Sequence, residues 1–516
     1  MEKKSSRIVI LLSIHLMFLS VVSGGVTLPA IISDNMVLQQ KSEAPLWGWA
    51  RPGEQVKIRA QWQDKEYLIT TASDGSWQIK LKTPEAGGPY RIVIEGQDKI
   101  ILQNVMIGEV WLCSGQSNMS FPLLESLGGK DAVAEANCPS MRVFVVQQAL
   151  SDMPNKNCQG RWQICSPESA GSFSAVAYYF GRELQNKLKV PVGLMVAAWG
   201  GTPADCWMSR SALESDSDFV PVLRRYDEIL KDYPREKKIY DEQLALWKAQ
   251  DANANSDKSK LSAEPRLPIG PEHWQRPYGT YNGMITPLIP YRLAGVIWYQ
   301  GEGNSWRAHQ YEKMFPALIR SWRNSWGQGN FPFYYVQIAP YKYEPPLVAA
   351  ELRHAQLMTL SESNTGMIVT MDIGDANNIH PLNKKDVGKR LALWALAKNY
   401  GNDKIVYSGP IYKGINVESS KIRVFFSHVG SGLIFKNDAS YEFEIAGDDG
   451  KYVVAKAEID GDTVLVYSPQ IKKPVAVRYC WSNFAQASFF NKDGLPASPF
   501  KTDSWPGVTD DQKTYF

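Results

Sequence analysis

Residues 108–119, GEVWLCSGQSNM, place the tightest limit on what this chain can fold into. Val110, Trp111, Leu112 and Cys113 read as a buried strand, and the run ends in the turn Ser114-Gly115-Gln116-Ser117-Asn118-Met119. A strand that is apolar on both faces belongs inside a sheet covered on both sides. A strand that stops at Gly and delivers a Ser presents a hydroxyl at the rim of that sheet. A helix is expected from about Phe121, with its free N–H groups turned toward the place where an oxyanion would form. Ser117 is therefore the candidate nucleophile. The competing reading is that Ser and Asn merely cap a turn. Ser114 lies on the strand side and ranks below Ser117.

At 516 residues the chain exceeds one typical core and should divide into two or three domains. Residues 1–25 read as a signal peptide. Lys3, Lys4 and Arg7 precede an apolar run over 8–22, and Ser23-Gly24-Gly25 supplies small residues for cleavage. No Cys stands there to take a lipid, and no later apolar run reaches membrane-spanning length. The expected product is exported, periplasmic or secreted, with no membrane anchoring.

Residues 26–105 carry short alternating segments at 55–60, 66–71, 77–81 and 90–95, separated by Arg-Pro-Gly, Ser-Asp-Gly and Gly-Gly-Pro turns. That rhythm predicts a small N-terminal β domain. Over 106–404, strands near 190–199, 293–299, 333–339 and 367–372 alternate with helices near 174–189, 310–322 and 386–400. This alternation predicts a catalytic α/β domain built on a parallel sheet with helices on both faces. Residues 209–277 interrupt it with two charged helices (219–231 and 237–249) and a polar tail, a pattern typical of a solvated face. Trp274 and Tyr278 at its end are candidate substrate contacts. Strands near 422–426, 441–445, 453–459, 463–467 and 474–481 make 405–516 a second β domain, ending in a loose DDQKTYF tail.

The net charge of +3 implies no attraction to nucleic acid or to a membrane surface. The 17 Trp and 24 Tyr belong mostly to cores, with some free to stack on sugar rings. Six Cys in an exported chain permit disulfides. Cys113 is expected to be a buried thiol, while Cys138, Cys158 and Cys165 could supply one bridge. With no CxxC and no HExxH, no metal site and no cofactor is expected.

Among the six His, His380 lies in the turn Asn378-Ile379-His380-Pro381, after a strand and before a helix. Open α/β sheets carry their chemistry in such loops, so His380 is the candidate general base. His309, after a Gln-Gly-Glu block, is a candidate substrate contact. His15 leaves with the signal peptide, and His273, His354 and His428 fall in the insertion, before a helix-like stretch and in a late β segment.

GQSNM after an apolar strand resembles the first block of the SGNH hydrolases, in the branch of the sialate O-acetylesterases and related carbohydrate acetylesterases. AAWGGTPADCW (197–207), YNGMITPLIPYRLAGVIWYQGEGN (281–304) and DIGDANNIHPLNKKDVGKRLA (372–392) follow in the same order as in that branch. The missing final Gly of a GxSxG elbow agrees with the flatter SGNH arrangement. The resemblance covers nearly the whole mature chain. It implies an α/β fold, an SGNH-type parallel sheet flanked by helices, with β-sandwich-like N- and C-terminal domains. It also implies a carboxylic ester hydrolase whose partner is an O-acetylated carbohydrate.

The same resemblance implies roles for single residues. Ser117 would attack the ester, with His380 as base. Many SGNH enzymes carry Asp three residues before the His, where this chain has Asn377. Asp375 resembles an aspartate of this branch and is the expected triad acid, with Asp372 second and a Ser–His dyad as the third possibility. The expected oxyanion donors are the backbone N–H of Ser117, the backbone N–H of Gly201 and the side-chain amide of Gln300, which stands where the family's third block usually has Asn. Asn118, Glu302, Asn304 and Arg307 are expected to bind substrate or support the site. Glu302 would hold Gln300 or the loop, or make a loop salt bridge. Arg307 would meet a sialic acid carboxylate, or make a surface ion pair. The expected substrate is 9-O-acetylated sialic acid. The alternatives are acetylated xylan or another plant glycan, and, in a different class, a non-catalytic glycan-binding protein.

Overall fold

Residues 25–253, 263–436 and 442–514 are described by the computed structural model. The expected signal peptide up to residue 24, residues 254–262 of the charged insertion, residue 441 of the expected strand 441–445 and the last two residues of the tail lie outside them. The segment 108–119 falls on the strand that ties the molecule together. This is β1 (Lys99–Gly115), 17 residues long, and it takes part in two sheet regions. Its first half pairs antiparallel with Gly87–Glu95 and its middle parallel with Val37–Gln39. Its second half forms the centre of a parallel sheet. The expected boundary at 105/106 thus falls inside one continuous strand.

The parallel sheet adds β2 (Cys138–Val145), β3 (Trp162–Cys165), β4 (Val192–Ala198), β5 (Gly295–Tyr299), β6 (Phe333–Val336) and β7 (Thr365–Ile368). Its order is β7-β6-β5-β1-β4-β2-β3, with only the edge strand β3 antiparallel. Alternation along each strand divides the core. Trp111, Cys113, Leu194, Ile297 and Tyr334 face α2 (Ala175–Leu188) and α6 (Lys384–Lys398), packing on Phe180, Leu184, Leu391 and Trp394. Leu112, Met195, Trp298, Phe333 and Tyr335 face α4 (Ala308–Trp326) and α5 (Val348–Met358), packing on Tyr311, Phe315, Trp322 and Leu352. Burial on both faces explains why these strands read as continuous apolar runs.

Three local expectations change. The turn after β1 holds a four-residue helix α1 (Ser117–Ser120), followed at once by extended Phe121 and Pro122 and a short turn of 3-10 helix, so no long helix begins at Phe121. The two helices expected at 219–231 and 237–249 of the charged insertion are one helix, α3 (Val220–Asn253), which runs through Pro234 rather than breaking there. Phe219, Val222, Leu223 and Tyr226 anchor its start in the core. Further along, pairs such as Lys237–Asp241 at 2.6 Å lie on a solvated face. The third change is at the thiols. All six cysteines are free, with Cys138 and Cys165 opposite one another across β2 and β3.

The C-terminal region forms two four-stranded antiparallel arrays. One is Ile411–Glu418, Lys421–Ser427, Thr463–Tyr467 and Lys456–Asp460. The other is Tyr452–Val454, Phe443–Ala446, Ala476–Tyr479 and Phe500–Lys501. No helix among the described residues is long and apolar enough to cross a membrane.

Candidate active site

Three strands end at one level. Gly115 is in register with Ala198 of β4 and Tyr299 of β5, so the loops that follow these strands meet at the carboxyl edge of the sheet. Gly115 has φ +140°, and a Cβ there would come within 2.1 Å of the Tyr299 carbonyl oxygen. A glycine is therefore needed for the chain to turn between its two neighbours. The turn places Ser117 at the start of α1. The WGGT turn packs directly on it, since a Cβ on Gly200 would lie 3.2 Å from Ser117 Cβ.

His380 reaches the same point from the far side of the sheet. Its Nε2 lies 2.8 Å from Ser117 Oγ. Two side-chain-capped turns shape its loop: Asp375 accepts from the Asn377 N–H at 2.8 Å, and Asn378 accepts from the His380 N–H at 2.9 Å. Asp372 grips Arg390 of α6 through both carboxylate oxygens, at 2.7 and 2.6 Å. Burial, and secondly the Lys384 cation, hold the imidazole below its ordinary pKa. The other described histidines stay apart from Ser117. His309 pairs with Asp510 at 3.7 Å, His273 stacks on Trp274, and His354 is buried and pushed down to about 4 by its burial. Ser114 is spent within the sheet, donating to the Ala197 carbonyl at 2.6 Å.

Several expected roles do not match the geometry. Asp375 is exposed and bonded to its own loop, and among the described residues no carboxylate hydrogen-bonds the His380 ring. Gln300 is fully buried, and its amide already donates to Asn304 Oδ1 at 2.7 Å and to the Thr202 carbonyl at 3.3 Å. Both amide hydrogens are taken, so Gln300 supports the loop and offers no donor to an oxyanion. Arg307 is also fully buried. It donates to Asp205 at 2.7 Å and to Gln310 at 2.9 Å, which removes it from any substrate carboxylate. Glu302 does not bond Gln300; its Oε1 accepts from the Asn118 amide at 2.6 Å.

Two buried polar groups stand out, the side chain of Asn304, an expected supporting residue, and that of Lys384, which no sequence expectation named. Asn304 Oδ1 accepts from the Ala204 N–H and from Gln300, both at 2.7 Å, while its Nδ2 is buried with no partner. A buried donor left unpaired costs about 1–3 kcal/mol, so such a group calls for an explanation. The second is Lys384, fully buried in the first turn of α6 and donating to Asn118 Oδ1. A lysine in the first turn opposes the helix dipole, and that was the one sequence signal that could have singled it out. Of the other expected contacts, Trp274 is 42% exposed and its indole nitrogen abuts Gly201, while Gln275 donates to the Gly201 carbonyl at 2.8 Å. Tyr278 is buried.

The fold as a whole is that of a carbohydrate acetylesterase. The crystal structure of a carbohydrate acetylesterase from Xanthomonas citri is 34% identical in sequence and matches 93% of this chain and 100% of its own, with a TM-score of 0.79. The sialate O-acetylesterases of Rattus norvegicus and Homo sapiens are each 28% identical, over 92% and 94% of this chain respectively and 94% of each relative. Residues 269–397 match the family described as carbohydrate esterase, sialic acid-specific acetylesterase. The chain belongs to the carbohydrate acetylesterases, and its activity is that of a carboxylic ester hydrolase.

Proposed function

We propose that the chain is an SGNH-type sialate O-acetylesterase that removes the 9-O-acetyl group of sialic acid through an acetyl-enzyme on Ser117. The observation that carries this reading is the 2.8 Å contact between Ser117 Oγ and His380 Nε2 at the carboxyl edge of the sheet. His380 takes the Ser117 proton as Oγ attacks the acetyl carbonyl, then gives it to the departing sugar hydroxyl. Water, deprotonated by His380, releases acetate and restores Ser117. The backbone N–H groups of Ser117 and Gly201 and the unpaired Asn304 Nδ2 take the developing oxyanion. Asn304 thus replaces Gln300 in the donor set. The pair works as a dyad, with backbone turns in place of a triad carboxylate orienting the imidazole.

Trp274 provides an exposed aromatic face beside the Gly201 turn for the sugar ring. Lys342, exposed and 3.4 Å from Asn377 on the His380 loop, provides a cation for the sialic acid carboxylate. The burial of Arg307 favours a second reading, a neutral glycan such as acetylated xylan. Acetate release measured side by side from 9-O-acetylated sialic acid and from acetylated xylan separates the two. Release from the sialate at the higher kcat/KM is expected. A preference for xylan would overturn the substrate and leave the chemistry standing.

The pH dependence follows from the state of His380. The base must be neutral, so kcat/KM rises with pH through the imidazole pKa. Burial and the Lys384 cation lower that pKa, so the acid limb is expected below the free imidazole value of about 6.5. A limb at or above that value in the wild type would exclude His380 as the base in this environment.

A further inference from the structure

Behind Ser117 and His380 lies a set of buried polar groups that the reaction scheme leaves unused. Asn118, next to the nucleophile, is fully buried. Its Nδ2 donates to Glu302 Oε1 at 2.6 Å and to the carbonyl of Ile379, the residue before His380, at 3.1 Å. Its Oδ1 accepts from Lys384 Nζ. One amide therefore bridges the turn that carries the nucleophile and the loop that carries the base.

The orientation of that amide is decided by its neighbours. An ammonium only donates and an ionised carboxylate only accepts. With Lys384 protonated and Glu302 ionised, only one of the two amide orientations is allowed, the one that turns NH2 toward Ile379. The flipped amide would set NH2 against the ammonium and oxygen against the carboxylate. We propose that Lys384 is a positioning residue of this esterase: it orients Asn118, and through Asn118 it holds the His380 loop against Ser117. This inference rests on the Ser117–His380 reading above.

A lysine at this position carries a cost that plain packing would not require. Its ammonium is stripped of water, held over the Phe121 ring at 4.9 Å and the Tyr299 ring at 5.4 Å, and burial pushes it down to about 7. Glu302 opposes that shift, and burial in turn raises Glu302 itself. The remaining titratable groups around the cluster are Arg353, which acts on Glu302, the buried phenols Tyr299, Tyr311 and Tyr343, which feel the Glu302 charge, and His380. Of these, Lys384 is the charge that acts on His380, and it favours the neutral ring that a general base requires.

The test measures kcat, KM and the full pH profile of p-nitrophenyl acetate hydrolysis for wild type, Lys384→Met, Lys384→Gln and Ser117→Ala, with melting temperatures alongside. Lys384→Met removes both the donor and the charge. The expected result is a kcat lower by up to about 10²-fold with KM little changed, since misplacing one catalytic partner costs that much. Its acid limb moves up toward the free imidazole value. Lys384→Gln keeps a donor for Asn118 Oδ1 and loses the charge, so it should recover much of kcat while its limb moves up as in Lys384→Met. A lower kcat with an unmoved limb in both variants would reduce Lys384 to structural support and overturn the proposal. So would wild-type kinetics in both. If Lys384→Met does not fold, the Lys384→Gln profile decides alone. Ser117→Ala separates the two levels: activity surviving there means that the serine reading has failed, whatever Lys384 does.

Discussion

Ser117→Ala is expected to lower acetate release by at least about 10⁴-fold, the scale on which removing a nucleophile acts when the remaining groups stay in place. The substitution takes away one oxygen on a half-buried turn and leaves Gly115, Gln116 and Asn118 to hold the backbone, so folding should survive. Ser114→Ala is the internal control. Its hydroxyl is bonded to the Ala197 carbonyl at 2.6 Å inside the sheet, and its loss should cost about a hydrogen bond of stability while turnover persists. His380→Ala should resemble Ser117→Ala, and the double variant should be little worse than either, as the proposed dyad requires of two groups that act as one unit. Acetate release measured across this set, with mass spectrometry for an acetylated Ser117, checks every arm. A fully active Ser117→Ala would move the nucleophile elsewhere.

The second large effect is expected at Asn304. Asn304→Asp keeps the oxygen that accepts from Ala204 and Gln300 and replaces only the unpaired Nδ2. With one oxyanion donor gone, and an acidic group in its place, kcat should fall on the order of 10²–10³-fold with KM changing far less. Gln300→Glu makes the opposite kind of change. It sets an oxygen against Asn304 Oδ1 and the Thr202 carbonyl in a fully buried position, so its main expected effect is a lower melting temperature. Kinetics and thermal unfolding of the two variants discriminate between them. A stable Asn304→Asp with wild-type kcat would remove Asn304 from the oxyanion site.

These two residues show how far single-sequence reasoning carries. Gln300 and Asn304 stand four apart in one block, and both are amides. Which of them offers a free N–H depends on Thr202 and Ala204, nearly a hundred residues away in the chain. The acid of the expected triad follows the same pattern. Asp375 lies close to His380 in sequence, yet its carboxylate bonds its own loop. Arg307 looked like a cation free for substrate, and only the fold brings Asp205 to it.

The helices and strands of the central sheet were legible because each carries its signal locally. Apolar runs such as 192–198 announce strands buried on both faces, and the 3.6-residue stripe over 175–188 announces a helix on one side. Two helices are expected over 219–231 and 237–249, and the structure has the single helix Val220–Asn253, which tolerates Pro234 between them although proline is a local break signal.

From its sequence alone, then, this chain declares its layered α/β centre between β-rich flanks, the serine at the end of its core strand, and the histidine in the loop before the last helix of that centre. Those features rest on short-range periodicity and on glycine and turn chemistry, which act over a few residues. The tertiary structure alone decides which amide is unpaired, which carboxylate reaches which partner, and that Lys384 comes to lie against Asn118, beside Ser117. Hydrogen-bond saturation and desolvation are set by neighbours that the fold brings in from distant parts of the chain, and no local pattern encodes them.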